Sequence, residues 1–263
     1  MDLPRISIVT LSFNQARFLP AALASVRDQG YPDIEHIVVD PGSTDASRTI
    51  IAAAPGLGPV ILDPDDGPAD GLNRGFARAT GAIYGYLNAD DRLLPGALAA
   101  VARAFAERPD TDAVCGNGVL VDADDRVLRP IRTSRVSRAD IGQGAMTFVQ
   151  QGHFFRPAAL AAAGGFNTAN RTCWDYELLV DMLCAGVRVA NIPDALGAFR
   201  LYGDSITGSG RLAAANAQDL VRIREKALGR SLAARDHIIA PLRLLARRLA
   251  SPAATLAGLR ARL

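Results

Sequence analysis

The sequence has little cysteine and no long apolar run. Its three cysteines, Cys115, Cys173 and Cys184, lack CxxC or Cys/His spacing. This pattern indicates reduced thiols in a cytoplasmic protein, not a disulfide framework or a zinc site. No stretch of about 18 uncharged apolar residues occurs, which argues against a membrane-spanning helix. The first residues also lack the charged-then-apolar pattern of a signal peptide.

Charge of one sign is not in excess either. The chain has 29 Lys and Arg against 27 Asp and Glu, a formal net charge of +2. This balance is too even to indicate a nucleic-acid partner, so we expect none. With 263 residues, 49% of them hydrophobic, the chain can bury one large core. We predict one domain over residues 1–205 and a helical C-terminal extension over 206–263.

Two phosphate-binding motifs are also missing. No G-x-G-x-x-G follows the first apolar run, and G-x-x-x-x-G-K-[ST] does not occur. The sequence therefore lacks the loops by which dinucleotide-binding folds and P-loop proteins hold phosphates. A phosphate ligand would need its charge offset in another way, for which a metal ion is suited.

Alternating apolar runs and helical patterns fill the first part of the chain. Short apolar runs predict strands at Ile6–Leu11, Ile34–Val39, Val60–Leu62 and Ala82–Leu87. Between them we predict helices over residues 16–29, after a cap at Ser43 or Thr44, and over 69–79. This order is typical of a parallel, doubly wound α/β sheet.

The rhythm changes after Asn88. We predict a helix over 95–105, paired strands at 113–121 and 126–130, and a loop and strand within 142–155. A helix over 174–184, strands at 187–192 and 196–201, and helical sequence from about residue 208 complete the prediction.

Polar side chains follow each of the first four strands. They form the clusters Thr10/Ser12/Asn14, Asp40/Ser43/Asp45, Asp63/Asp65/Asp66 and Asn88/Asp90/Asp91. In a parallel sheet these clusters converge at one edge, where such folds bind ligands. Oxygen ligands of this kind suit Mg²⁺ or Mn²⁺, which in turn hold phosphates. The alternative is that Asp90 and Asp91 only form the turn before a helix opening near Pro95.

Eight segments, in this order, resemble the family 2 glycosyltransferases, which have the GT-A fold and use nucleotide-diphospho-sugars. The segments are Ser7–Asn14, Ile37–Asp45, Asp63–Gly67, Asp70–Gly75, Ala79–Gly81, Tyr86–Asp91, Gly164–Asn167 and Trp174–Leu178. The resemblance covers roughly residues 5–202. It implies a Rossmann-like, mostly parallel sheet flanked by helices, with a nucleotide-sugar-binding half at about 1–92 and an acceptor half at about 93–205.

The resemblance also implies the donor site. Asn88-Ala89-Asp90 occupies the D-x-D position, so Asp90 would bind Mn²⁺ or Mg²⁺, and Asp91 would bind the metal or orient its ligands. Arg74 would meet phosphate. The residues implied in nucleotide-sugar binding are Thr10, Ser12, Asn14, Asp40, Asp65, Asn73, Arg74, Asn88, Ala89 and Asp90.

Asp175 matches the catalytic base of the family. The base would deprotonate an acceptor hydroxyl that attacks the anomeric carbon opposite the leaving diphosphate, which inverts the configuration. As alternatives, Asp175 is a first-turn helix acid favoured by the helix dipole, or Glu177 is the base. His153, Trp174 and Glu177 are candidate acceptor contacts, although a buried histidine and a tryptophan covering a helix start are ordinary structural roles.

Three positions depart from the family pattern. Asn88 is a neutral ligand at the first D-x-D position, which predicts modest metal affinity. Asp40-Pro41 stands where Asp-Asp is frequent, which puts a preference for uridine in doubt. Arg200-Leu201-Tyr202 replaces Arg-x-His, which removes a histidine near the diphosphate and leaves Tyr202 as a hydrogen-bond donor to phosphate.

The C-terminal extension mixes leucine with arginine and has no acidic residue after Asp236. A basic amphipathic helix of this kind lies on an anionic membrane, or packs on the domain or a partner subunit. We therefore expect an inverting glycosyltransferase with a glycan or lipid-linked acceptor, active in cell-surface polysaccharide synthesis on the cytoplasmic side. The alternatives are a sugar nucleotidyltransferase and a non-catalytic sugar-nucleotide-binding or membrane-associated module with a degraded site.

Overall fold

A computed structural model describes residues 3–203 and 212–236, together with residues 239 and 242. The strands in these residues are β1 Ile6–Leu11, β2 Ile34–Val39, β3 Val60–Ile61, β4 Ile83–Asn88, β5 Arg92–Leu93, β6 Ala113–Val121, β7 Val127–Ile131, β8 His153–Phe155 and β9 Val189–Arg200. The helices are α1 Leu19–Arg27, α2 Ser47–Ala53, α3 Pro68–Phe76, α4 Ala97–Glu107, α5 Arg138–Gly142, α6 Pro157–Ala163, α7 Trp174–Cys184 and α8 Ala213–Leu228.

The strands form one sheet in the order β3-β2-β1-β4-β8-β6-β9-β5, with β7 paired to β6. The four strands β3, β2, β1 and β4 are parallel, as the sequence predicts. The sheet then becomes mixed, because β8 is antiparallel to both β4 and β6, and β6 is parallel to β9. The predicted α/β class is confirmed, and the four strand-end clusters belong to neighbouring strands.

Helices cover both faces of the sheet. On one face, Ile6 and Ile8 of β1 pack with Leu98 and Val101 of α4. On the other face, Val9 packs with α3 and with the part of the core that includes Trp174. This division follows from the alternation of side chains along a strand. It brings the starts of α3 and α7 to the strand-end edge.

Glycine allows α3 to approach the sheet closely. A Cβ atom at Gly75 would clash with Val9, and one at Gly71 would lie 2.6 Å from Asp65 Oδ2 and 3.1 Å from Leu11. A side chain at Gly75 would force Val9 to shift, and one at Gly71 would force the Asp65 carboxylate to move, so glycine at both positions favours the close packing of α3 on β1. The loop before α3 is thereby held against the end of β1.

Several predicted elements need correction. The two strands predicted at 187–192 and 196–201 are a single strand, β9, whose register jumps from Asn191 opposite Cys115 to Ala195 opposite Asn117. The sequence did not predict β5, α5 or α6. Helix α2 begins at Ser47, after Ala46, so neither Ser43 nor Thr44 caps it. Most of the C-terminal extension, with the membrane contact predicted for it, lies outside the described residues.

Candidate active site

The carboxyl ends of β1 and β4 open into a cavity of about 880 Å³. Ser12, Asp65, Asn88 and Asp90 from the strand ends line it, and Asp175 at the start of α7 lines it as well. The cavity therefore contains carboxylates from both halves of the chain. Its volume is in the range of small-molecule sites in proteins.

Asp90 is partly buried in this cavity, and its Oδ2 accepts a hydrogen bond from the Tyr202 hydroxyl at 3.0 Å. Burial raises the pKa of the Asp90 carboxyl, while the bond from Tyr202 and the nearby Arg200 charge act in the opposite direction. Tyr202 thus contacts the carboxylate itself. Tyr202 also accepts a bond from Gln15 Nε2 at 3.1 Å.

Asp91 is 2% exposed, and protein donors occupy both of its oxygens. Oδ1 accepts the Arg200 backbone N–H at 2.9 Å, and Oδ2 accepts Gln151 Nε2 at 2.5 Å and Asn88 Nδ2 at 3.4 Å. Burial, followed by the charge of Asp90, raises the pKa of Asp91 well above its usual range. These bonds fix the loop after β4.

Arg200 ties the same loop to the β6–β7 turn. Its side chain is 2% exposed, and Nε donates to the Asp90 carbonyl at 2.7 Å. Nη1 donates to the Asp122 carbonyl at 2.9 Å, Nη2 donates to Asp125 Oδ1 at 2.6 Å, and the guanidinium lies over the Phe18 ring at 4.7 Å. A buried guanidinium with this many acceptors holds the backbone of Asp90 in place.

Asp175 lies in the first turn of α7 and faces the cavity. Burial raises its pKa to about 6, although the backbone N–H groups of Tyr176 and Asp175 itself oppose the shift. A carboxylate with a pKa near neutrality has the strength that a general base requires. Trp174 also lines the cavity, and its ring packs on Tyr86 and Phe166 at centroid distances of 5.8 Å.

Asp65 and Arg171 line another part of the cavity. Asp65 Oδ1 accepts the Gly67 N–H at 2.9 Å, and burial raises its pKa. Arg171 is exposed, and its guanidinium donates to the Asp66 carbonyl. It provides a cation at the cavity that the sequence analysis missed, because only the fold brings the loop before α7 to the loop before α3.

Arg74, in contrast, does not line the cavity. Its Nη2 pairs with Asp70 at 2.8 Å, and Nη1 donates to the Pro64 carbonyl. Asn73 uses both polar atoms of its amide on the backbone N–H and carbonyl of Phe166, each at 2.9 Å. Both residues therefore form bonds within the protein. The sequence analysis predicted contacts with the nucleotide-sugar at these positions.

Two predicted nucleoside contacts are buried away from the cavity. Thr10 is 0% exposed, and its hydroxyl lies 2.9 Å from His36 Nε2. Asp40 is also 0% exposed, and it accepts bonds from the Ser12 hydroxyl, from Ser43 and from Arg48. Thr10 and Asp40 therefore do not line the cavity, and the bonds of Asp40 fix the loop that contains Pro41, which does line it.

Asn14 is exposed and joins two of the strand-end loops. Its backbone is left-handed, with φ of 52°, and its Oδ1 accepts the Thr44 N–H at 2.8 Å. Asparagine tolerates this conformation better than most residues because its side chain bonds locally. Asn14 does not line the cavity, whereas its neighbours Phe13 and Gln15 do.

Two of the three predicted acceptor contacts are buried and do not line the cavity. His153 is 1% exposed, its Nδ1 lies 3.3 Å from the Tyr86 hydroxyl, and burial lowers its pKa to about 3. Glu177 is 0% exposed and is bound by Arg222 and Lys226 of α8 and by Asn170 at 2.7 Å. Burial would raise the pKa of Glu177, but its bonds, led by that from Arg222, lower it to about 2.

The donor atoms suit a divalent metal that takes most of its ligands from substrate. Within the described residues, no group of three or more His, Cys, Asp or Glu side chains could hold a metal ion. Asn88 and Asp90 supply amide and carboxylate oxygens to the cavity. Mg²⁺ and Mn²⁺ accept such oxygens, and Mg²⁺ often binds through one or two carboxylates completed by water and phosphate.

The chain belongs to glycosyl transferase family 2, whose model matches residues 7–170. An uncharacterized glycosyltransferase of Mycobacterium tuberculosis, Rv1514c, is 31% identical over 182 residues, which are 67% of this chain and 68% of the relative. A PGL/p-HBAD biosynthesis glycosyltransferase of the same species, Rv2957, is 31% identical over 185 residues, 68% of this chain and 70% of the relative. An uncharacterized glycosyltransferase of Nostoc matches at 34% identity over 47% of this chain, and the match spans only 39% of that protein.

Solved structures share the fold. Residues 1–349 of S. aureus TarS in complex with UDP superpose with a TM-score of 0.67 at 17% identity, over 94% of this chain and 72% of the TarS 1–349 chain. The mannosyltransferase PcManGT of Pyrobaculum calidifontis, in complex with GDP-Man and Mn²⁺, has a TM-score of 0.66 at 23% identity, over 99% of this chain and 74% of the other. The GT-A fold is therefore confirmed, and the protein is a glycosyltransferase. In the part of the chain that the structure describes, no helix is long and apolar enough to cross a membrane.

Proposed function

We propose that the protein transfers a sugar, with inversion, from a nucleotide-diphospho-sugar to a hydroxyl of a glycan or lipid-linked acceptor. One observation carries the proposal: Asp90, in the D-x-D position, and Asp175, with a pKa of about 6, line the same cavity. Nucleotide-sugars bound in structures of the same fold, such as UDP-GlcNAc in TarS, support a donor of this class. Cell-surface polysaccharide synthesis is the setting that we infer.

The donor diphosphate binds between Asn88, Asp90 and Arg171. Asn88 and Asp90 would hold Mn²⁺ or Mg²⁺, which when bound supplies positive charge for the leaving diphosphate. The Arg171 guanidinium adds a second positive charge, and arginine geometry suits phosphate oxygens. Ser12, Asp65 and the loops held by Asn14 and Asp40 shape the nucleoside side of the cavity.

Asp175 is the general base. Its carboxylate accepts the proton of the acceptor hydroxyl while the hydroxyl oxygen attacks the anomeric carbon. The bond from that carbon to the diphosphate oxygen breaks, and the diphosphate leaves with the electron pair. Attack from the face opposite the leaving group inverts the anomeric configuration. Asp91 and Arg200 position the Asp90 loop.

The acceptor occupies the apolar part of the cavity. Ile131, Phe148, Val149 and Phe199 line this part, next to Trp174. An apolar wall beside a catalytic carboxylate fits the face of a sugar ring or the first part of a lipid chain. Trp174 remains the acceptor candidate of the three that the sequence analysis named.

A non-catalytic sugar-nucleotide-binding module is the second candidate. The bond from Tyr202 to Asp90 favours it, because one oxygen of the metal-binding carboxylate is already engaged. The raised pKa of Asp175 argues for catalysis instead. The tail contact with an anionic membrane, and with it a peripheral location on the cytoplasmic face, stays a prediction of the sequence.

A donor panel tests the proposal. The protein is incubated with UDP-, GDP- and dTDP-sugars in Mn²⁺ or Mg²⁺, and release of the nucleoside diphosphate is measured. Binding of each nucleoside diphosphate is measured in parallel by calorimetry. We expect slow donor hydrolysis with one nucleotide and loss of metal-dependent binding in Asp90→Asn, while Asp63→Asn, an exposed aspartate at the same sheet edge, behaves as wild type. Binding without any turnover would support the non-catalytic module.

A further inference from the structure

Residues 126–138, here called the arginine segment, are strongly basic. This stretch contains five arginines and no acidic residue, in a chain of nearly balanced charge. It comprises β7, the loop after it and the start of α5. All five arginines are exposed: Arg126, Arg129, Arg132, Arg135 and Arg138.

The residues between these arginines fix the backbone of the segment. The Thr133 N–H donates to Asn117 Oδ1 at 3.0 Å, and the Thr133 hydroxyl donates to the Gly116 carbonyl at 2.5 Å. The Val136 N–H donates to Asn191 Oδ1 at 3.0 Å. Ile131 is 8% exposed and packs in the core. The arginines therefore project from a backbone that the β-sheet holds in place.

Three of these arginines have no carboxylate near enough to form an ion pair in the part of the chain that the structure describes. No described carboxylate lies within ion-pair distance of Arg129, Arg132 or Arg135, whereas Asp125 in the adjoining turn is engaged by Arg92 and Arg200. Many other arginines of the described residues form ion pairs with a carboxylate. Arg129, Arg132 and Arg135 differ from them in having no such partner among the described residues. Their positive charge complements a partner of negative charge.

Two large apolar side chains stand beside the arginines. Val127 is 63% exposed and Leu128 is 44% exposed, and both belong to the edge strand β7. An alternative function of these residues is to prevent aggregation at the exposed strand edge, which would explain Pro130 and the charge of Arg129. It does not explain Arg132 and Arg135, which follow the end of the strand, or the exposed valine and leucine, which would promote aggregation.

We infer that the arginine segment docks the protein on an anionic lipid bilayer. The guanidinium groups contact lipid phosphates, and Val127 and Leu128 enter the boundary between headgroups and acyl chains. An anionic polymer would need the charges but not the apolar pair. Because Ile131 lines the catalytic cavity at the end of the same strand, the docked segment adjoins the cavity.

Vesicle binding by the full chain tests this inference. Partition is measured by sedimentation with vesicles of equal parts phosphatidylcholine and phosphatidylglycerol, and with phosphatidylcholine alone. Three variants are compared: R129Q/R132Q/R135Q, V127S/L128S, and the charge-matched R243Q/R247Q/R248Q in the C-terminal extension. Thermal unfolding of each variant checks that the fold is kept.

We expect the wild type to bind the anionic vesicles and to be released by salt. The segment triple variant should lose on the order of a hundredfold in partition, from the usual contribution of an arginine at an anionic surface, and V127S/L128S should also weaken binding. The tail triple variant should keep a larger share of the binding than the segment triple variant. Failure of the wild type to bind, loss of binding only in the tail variant, or unchanged binding of V127S/L128S would each overturn the inference.

Discussion

Tyr202 donates a hydrogen bond to Oδ2 of Asp90 at 3.0 Å, in the position where many family members are expected to carry a histidine. The bond stabilises the ionised form of a carboxylate whose pKa burial raises. Tyr202 therefore contacts the carboxylate that we propose as the metal ligand, whereas the sequence analysis expected a contact with phosphate. The bond keeps Asp90 charged and aligned.

The first prediction removes this hydroxyl. Tyr202→Phe should raise the pKa of Asp90 further, so that the protonated carboxyl, which binds metal poorly, persists to higher pH. We expect Mn²⁺-dependent binding of nucleoside diphosphate to weaken by up to about tenfold, the scale of one hydrogen bond to a charged group, at the lowest pH at which the protein stays folded, and by less at pH 8. Tyr31→Phe, which removes a hydroxyl bonded to the Pro4 carbonyl, should change neither value. Equal loss at both pH values would refute a role through the Asp90 pKa.

The second prediction separates two arginines. Arg171→Gln should raise the KM of the donor about tenfold, because a cation next to the diphosphate is lost. Arg74→Gln removes a half-exposed ion pair with Asp70 and a bond to the Pro64 carbonyl, neither at the cavity, and should leave donor KM unchanged. Steady-state donor hydrolysis measures both. The reverse result would restore the phosphate role that the sequence analysis assigned to Arg74.

The third prediction concerns the link between α7 and α8. Glu177 has a folded-state pKa of about 2, below its ordinary value of 4.5. Its ion pairs therefore contribute stability that is present above pH 4.5 and is lost as the pH falls toward 2. Glu177→Gln should lower the free energy of unfolding by about 3 kcal/mol at pH 7 and by much less near pH 3. Urea unfolding measures the change, and Glu107→Gln, on the surface of α4, is the matched control. A pH-independent loss would contradict the assignment.

Strand positions were predictable where most residues of a short run are apolar. The bounds of β1, β2 and β6 agree with the sequence because the apolar residues in these strands are buried, and α7 also begins and ends where the sequence predicts. Pro193 and Asp194 are typical of a turn, and for this reason the sequence predicts two strands where the structure has the single strand β9. The sheet accommodates both residues through a shift in the register between β6 and β9. At this shift, Asn117 Nδ2 donates to the Pro193 carbonyl at 2.7 Å.

The candidate site was only partly predictable, for a related reason. The sequence indicates that a polar residue ends a strand, but not which atoms satisfy it. Thr10 points into the sheet toward His36, and Asp40 bonds to its own loop. Arg171 and Glu177 depend on which distant segments pack together. The loop that carries Arg171 reaches the cavity. The Glu177 carboxylate instead turns toward Arg222 of α8, more than 40 residues later in the chain.

The most direct test of the account is the pH dependence of transfer in wild type and Asp175→Asn. In the wild type, kcat/KM for sugar transfer should decrease at pH values under about 6, because the Asp175 carboxylate becomes protonated there. Burial raises the pKa of this carboxyl to about 6. Asp175→Asn should lose at least about a hundredfold in turnover and should lose this acid limb. Its affinity for nucleoside diphosphate should not change, because the base contacts the acceptor. Asp181→Asn, on the same helix, should keep the wild-type profile. Wild-type turnover with the same acid limb in Asp175→Asn would show that another group accepts the proton.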